Sequence, residues 1–137
     1  MPIPRRRAQA LIRKLLDAEG VSPRCEISVV FCDDNQIREL NRDYMGEDRP
    51  TDVLSFPQGE PPRSRTPRLL GDVVISLPSA ARQAAQAGHS VSTELEWLLL
   101  HGVLHLLGHD DATPEGLAAM IRRQQQVLST ADAGDAP

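Results

Sequence analysis

Aromatic side chains are almost missing from the 137-residue sequence, where Phe31, Phe56, Tyr44 and Trp97 are the whole set. A surface that grips single-stranded nucleic acid by stacking bases therefore has few rings to use. Surplus positive charge is missing too: the net charge is −4, so the general basic footprint of a nucleic-acid binder is absent. The positive charge present is clustered and nearly all arginine. Arg5, Arg6, Arg7, Arg13 and Lys14 lie near the start, Arg63, Arg65 and Arg68 in the middle, and Arg122 with Arg123 near the end. The guanidinium fork suits phosphate, yet on charge alone a solvated helix face and a basic loop account for these clusters. Cysteine is reduced to Cys25 and Cys32. They flank a segment that reads as a strand, and their odd separation places them on opposite faces, so two buried thiols in a reducing compartment are expected rather than a disulfide. No apolar run reaches the ~18 residues that would span a membrane. Met1-Pro2-Ile3-Pro4-Arg5 has no apolar stretch behind its arginines, so no secretory signal is expected and the expected location is the cytoplasm.

What remains is ordinary globular material, 40% apolar and 25% charged. The length fits one domain over residues 1–130 with a flexible tail at 131–137, the segment from Ser129 already being small and polar. Ala8, Leu11, Ile12, Leu15 and Leu16 follow the spacing of one helical face, with Pro4 at the first turn and Gly20 at the stop. A strand is expected at about 24–32. Asp33 or Asp34 then caps a helix carrying Ile37, Leu40, Asn41 and Tyr44 that ends near Gly46. Thr51 to Phe56 reads as a short strand closed by Pro57, and Gln58 to Arg68, with three prolines among charges, as a loop. Leu69 to Leu77 reads as a strand buried on both faces. Pro78 and Ser79 open an alanine-rich helix that stops at Gly88, and Ser92 caps the next, over 92–107. This last helix is apolar almost all round and belongs at the centre of the domain. Thr113 and Pro114 start a final amphipathic helix through Leu117, Met120, Ile121, Val127 and Leu128. The pattern predicts a mixed α/β (α+β) fold: a three- to four-stranded mixed sheet packed with about five helices, the central buried helix carrying the chemistry.

That chemistry starts from His101 and His105. Four residues apart, they project from one helical face about one turn apart, the spacing with which two imidazoles bind one metal ion. A lone core histidine is usually just hydrogen-bonded. Two polar rings inside a leucine helix would each need a buried partner, and the sequence offers few. Gly108 can take the left-handed conformation that ends a helix, turning His109, Asp110 or Asp111 back toward the pair. The run His-x-x-x-His-x-x-Gly-x-x-Asp favours Asp111 as third ligand. His109 would share the histidine face only if the helix continued through Gly108. Two histidines and a carboxylate leave one position open for water, as in a catalytic site. Gly102 stands where zinc peptidases of this spacing carry their glutamate base, which argues against peptide hydrolysis. A glycine there is explained by a close packing neighbour or by substrate passing over it.

The stretch His101-Gly102-Val103-Leu104-His105-Leu106-Leu107-Gly108-His109-Asp110 resembles the signature of the YbeY family of bacterial rRNA maturation endoribonucleases. Arg49-Pro50-Thr51-Asp52-Val53-Leu54-Ser55-Phe56-Pro57 is similar to that family's second signature, and Leu70-Gly71-Asp72-Val73-Val74-Ile75-Ser76 to its third. With Leu40-Asn41 before Tyr44, the match runs over about residues 24 to 125 in the family's order. The resemblance implies an α/β fold with one zinc ion, held by His101 and His105. It also implies cytoplasmic cleavage of single-stranded RNA in rRNA processing and ribosome quality control, with the ribosome or its associated proteins as partners. Three departures stand out. The family's third ligand is a histidine where this chain has Asp111, so the site carries one more negative charge. The family's arginine after the tyrosine is Met45 here, leaving Arg42 or Arg49 to supply that charge. The family also commonly begins with a strand before its first helix, and its absence here leaves a sheet edge bare.

In this reading Arg42, Arg49 and Asp110 are candidates for the reaction. Asp110 acts either beside the metal ligands or as a plain turn carboxylate. Thr51 and Ser55 are candidates for touching substrate, though hydroxyls at a strand end more often satisfy local backbone. Beside the endoribonuclease stand two other readings: a weakly active or inactive ribosome-assembly factor with a structural metal, favoured by the lost arginine and histidine, and a metallopeptidase. Activity removed by a chelator and restored by zinc separates the first two, and substrate class separates the third.

Overall fold

In the computed structural model, residues 2–58 and 68–134 are described; Arg63, Arg65 and the end of the expected tail, 135–137, lie outside them. Five α-helices and three strands follow in the order α1 (Arg5–Ala18), β1 (Cys25–Cys32), α2 (Asp34–Leu40), β2 (Val53–Pro57), β3 (Arg68–Ser76), α3 (Leu77–Ala87), α4 (Val91–Leu106) and α5 (Pro114–Gly134). The sheet order is β1-β3-β2, with β1 parallel and β2 antiparallel to the central β3. The mixed α+β architecture expected from the pattern is therefore present, with three strands among the described residues. Among the described residues no strand pairs with the outer edge of β1.

Val73, Val74 and Ile75 are buried as a central strand requires, whereas Leu69 is exposed, so burial on both faces begins only past the start of β3. Val73 and Ile75 join the main core, and Val74 faces a smaller cluster with Ile37 and Leu54. Leu70 also lies in the main core, three residues from Val73, which simple alternation forbids. A register irregularity at Glu26/Ile27, opposite Leu69 and Gly71, absorbs the extra residue.

Several boundaries differ from the sequence reading for local reasons. Of the two caps the sequence offers for α2, Asp33 is the one used, through a reciprocal pair with Gln36 (2.8 and 3.0 Å). Asp34 is thereby free to accept Ser76 Oγ at 2.6 Å, Ser79 Oγ at 2.7 Å and Arg82 Nη2 at 2.6 Å. The expected single helix to Gly46 is in fact α2 followed by a five-residue π-helical turn, Asn41–Met45, which buries Asn41 and lets its Nδ2 donate to Arg49 O at 2.9 Å. Ser76, the last residue of β3, caps α3 directly, with no loop between. Ser90 rather than Ser92 caps α4, because its Oγ accepts Thr93 N–H at 3.1 Å. The tail expected to be loose from Ser129 continues α5 to Gly134, and Ala131 is buried because it extends the apolar face of Val127 onto the core. Cys25 and Cys32 are half-buried, not fully buried, and form no disulfide; they pack toward opposite clusters, as their spacing requires.

Candidate metal centre

The central helix α4 buries Leu99, Leu100, Val103 and Leu104 completely and lies against β2, β3, α1, α3 and α5. Its close seat on the sheet depends on Gly102. A Cβ there would meet Val73 Cγ1 at 2.6 Å and Val53 Cγ2 at 3.2 Å, so of the two explanations for this glycine the packing neighbour is the one realised. Ser55 Oγ donates to Gly102 O at 2.7 Å and ties β2 to the same turn of helix. The result places His101 and His105, the two polar rings of the helix, on the floor of a cleft of about 370 Å³ beside β2.

The chain after α4 closes on itself before it turns. Gly108 takes φ +98°, and the N–H groups of Gly108 and His109 return to His105 O (3.1 Å) and Leu104 O (3.0 Å), the paired bonds of a glycine-terminated helix. The helix thus does not run on, and His109 leaves the histidine face to pair through Nε2 with Glu19 Oε1. Asp111 turns back instead. Its Oδ2 lies 3.3 Å from His101 Nε2 and 3.3 Å from His105 Nε2, and the two Nε2 atoms are 3.2 Å apart.

A carboxylate only accepts, and a neutral imidazole presents a lone pair at Nε2 when its proton sits on Nδ1. Three such lone pairs in a near-equilateral triangle converge on one point, so this donor set fits one metal ion. Burial pushes the His101 pKa below its ordinary value, and the neighbouring His105 adds to the effect, outweighing the pull of Asp111 and Asp52. The neutral imidazole that a metal requires is therefore the favoured form.

Of the other candidates, Thr51 and Ser55 line the cleft, but both hydroxyls are engaged, Thr51 Oγ1 with Asp52 Oδ1 at 3.4 Å and Ser55 with the helix. Asp110 Oδ1 accepts Ala112 N–H at 2.9 Å, the bond of a turn carboxylate. Arg42 pairs with Asp43 (2.9 Å) and Arg49 with Glu47 (2.9 Å), both exposed and neither lining the histidine cleft; Arg49 borders an adjoining one. Met45 does line it, so a thioether stands at the cleft wall. Two participants escaped the sequence reading. Asp52 faces the cleft, held by Val53 N–H (2.7 Å) and Gln83 Nε2 (3.1 Å), and its only sequence signal was its place in the second motif. Glu19 had none.

The sequence matches the profile of a family described as Endoribonuclease YbeY over residues 2–132. Relatives bearing that description include one from Desulforamulus reducens, 45% identical over 124 residues, which cover 88% of this chain and 81% of the relative. Another, from Moorella thermoacetica, is 49% identical over 119 residues, covering 82% and 76%. A Thermotoga maritima protein of known solution structure superposes with a TM-score of 0.59 at 22% identity, covering 93% of this chain and 83% of that one, a likeness of fold.

Proposed function

Because the chain belongs to the YbeY family of endoribonucleases, we propose that it hydrolyses RNA phosphodiester bonds in rRNA processing with one zinc ion held by His101, His105 and Asp111. The observation that carries this reading is the donor triangle. Separations of 3.2 and 3.3 Å are close to the edge of a tetrahedron whose corners lie ~2.0–2.1 Å from its centre, the distances of zinc to nitrogen and oxygen ligands. Zinc bound there supplies a Lewis acid toward a phosphoryl oxygen and toward water.

The protein's own contribution is orientation and charge. His101 stays neutral through burial, the Schellman-type turn at Gly108 presents Asp111, and Asp110 holds that turn by accepting Ala112 N–H. Thr51 and Ser55 bound the cleft in which a strand of RNA would lie. Arg42 and Arg49 are candidate partners for its phosphates: each pairs with an exposed carboxylate, which water screens and a phosphate can displace. The substrate in this reading is single-stranded rRNA precursor, met on or near the ribosome or its associated proteins in the cytoplasm, and the unit is a single hydrolase domain over residues 1–130. No helix among the described residues is long and apolar enough to cross a membrane.

One observation favours a weaker, assembly-factor role: among the described residues no arginine or lysine lines the histidine cleft. Cleavage of a single-stranded RNA, measured before and after chelation and again after zinc is restored, decides between the two. Cleavage lost and regained with zinc supports the nuclease, and stoichiometric zinc without cleavage supports the assembly factor.

A further inference from the structure

The turn that presents Asp111 has few ties of its own. From Gly108 to Thr113 the chain has no helix or strand, and its local bonds all close within a few residues: the two cap bonds, Asp110 Oδ1 to Ala112 N, and Thr113 Oγ1 to Gly116 N at 3.0 Å. The side chain that reaches a distant element is His109. Its Nε2 meets Glu19 Oε1, 90 residues earlier in the sequence, and Glu19 Oε2 accepts Arg123 Nε at 2.7 Å. Glu19 is the C-cap of α1 and Arg123 belongs to α5, so one carboxylate joins α1, α5 and the turn. The Glu19 side chain is only 13% exposed, with both oxygens engaged and its backbone N–H bonded to Leu15 O, so it is held from three sides. His109 is therefore fixed at its ring by Glu19 and at its backbone by Leu104 O, two residues before Asp111.

We propose that Glu19 is a positioning residue for the metal centre: with Arg123 it holds His109 against α1, and so holds Asp111 against His101 and His105. The inference rests on the reading of Asp111 as the third ligand. It assigns His109 a role distinct from ligation, since the ring that could compete for the metal is instead the anchor of the ligand turn. Groups that orient a metal ligand typically change metal affinity by roughly 10- to 100-fold when removed.

The test is zinc affinity of the full chain, measured with zinc alone by competition against a chromophoric chelator, for Glu19→Ala, His109→Ala, Asp111→Ala and their pairs. Glu19→Ala and His109→Ala should each weaken zinc binding about 10- to 100-fold, the pair being no weaker than either alone. In the Asp111→Ala background Glu19→Ala should cost nothing further. Amide hydrogen exchange at residues 109–112 should also quicken in zinc-free Glu19→Ala. Glu96→Gln, which cuts the similarly enclosed Arg7–Glu96 pair between α1 and α4, is the control for stability alone and should leave zinc affinity unchanged. If Glu19→Ala does not fold, Glu19→Gln and His109→Ala carry the same comparison. An equal loss from Glu19→Ala with and without Asp111 would show an effect through general stability and overturn the proposal. So would wild-type zinc affinity in Glu19→Ala and His109→Ala alongside loss in Asp111→Ala. Full affinity in Asp111→Ala would instead overturn the ligand assignment beneath it.

Discussion

Asp111 brings to the cleft a negative charge that a histidine would not, and its oxygen lies 3.3 Å from both imidazole nitrogens. Near an anionic phosphate that charge opposes the stabilisation that phosphoryl transfer needs. Asp111→Ala is expected to lower zinc affinity by orders of magnitude. Asp111→His should keep zinc and raise RNA cleavage at equal zinc occupancy, by about tenfold if ~1.4 kcal/mol of repulsion is relieved at the transition state. Activity of the three proteins at matched zinc content checks both statements, and unchanged cleavage in Asp111→His would remove charge as the explanation. Met45 lines the same cleft without a charge. Met45→Arg should likewise raise cleavage and steepen its decline with salt, measured as rate against ionic strength.

At the scale of the element, α4 is positioned by what it lacks. Alanine at Gly102 would gain about 1 kcal/mol of helix propensity, but its methyl would stand 2.6 Å from Val73 Cγ1, on a stiff side chain of the central strand. Overpacking of this kind costs ~1–3 kcal/mol, so Gly102→Ala is expected to lower stability by up to about 2 kcal/mol net. Because the shift of α4 also moves His101 and His105 relative to Asp111, zinc affinity should fall with it. Denaturant unfolding and zinc titration of this variant measure the two effects separately. The helix itself was legible in the sequence, as were its histidine pair and its end at Gly108, because periodicity, i to i+4 spacing and a left-handed cap are all local. Its start was misplaced by two residues because Ser90 and Ser92 are equally good caps in one dimension, and only the bond from Thr93 N–H selects Ser90.

Across the whole molecule, Asp34 binds three elements at once: α2, the end of β3 and the start of α3. Hydrogen bonds from Ser76 and Ser79, then the bond and charge of Arg82, hold its carboxyl down at about 2, against an ordinary value of 3.8. A carboxylate with a depressed native pKa contributes stability that is complete above the unfolded value and is lost as pH falls through the native one. Asp34 should therefore support the fold at neutral pH and lose that support between about pH 4 and pH 2. Asp34→Asn should flatten the acid limb of the stability curve there while lowering stability at pH 7, as followed by denaturant unfolding at a series of pH values. At the other end of the chain, Ala131 is buried in the main core although it lies past the expected domain limit. Ala131→Asp would bury a charge without a partner and is expected to cost about 2–4 kcal/mol, whereas a loose tail would tolerate it.

The sequence alone determined the mixed fold, the central helix, the placing of His101 and His105 on one face of it, and the return of Asp111 rather than His109 toward that pair, because each follows from spacing or cap chemistry within a dozen residues. Tertiary structure decided what depends on residues far apart. It engaged the hydroxyl of Ser55 with Gly102 O on another element, and it paired Arg42 and Arg49 with neighbours outside the histidine cleft. It brought Asp52 into that cleft, and it joined Glu19 to a turn 90 residues away. Hydrogen bonds and ion pairs across such distances are set by how helices and sheet pack against one another, and no periodicity along the chain encodes them.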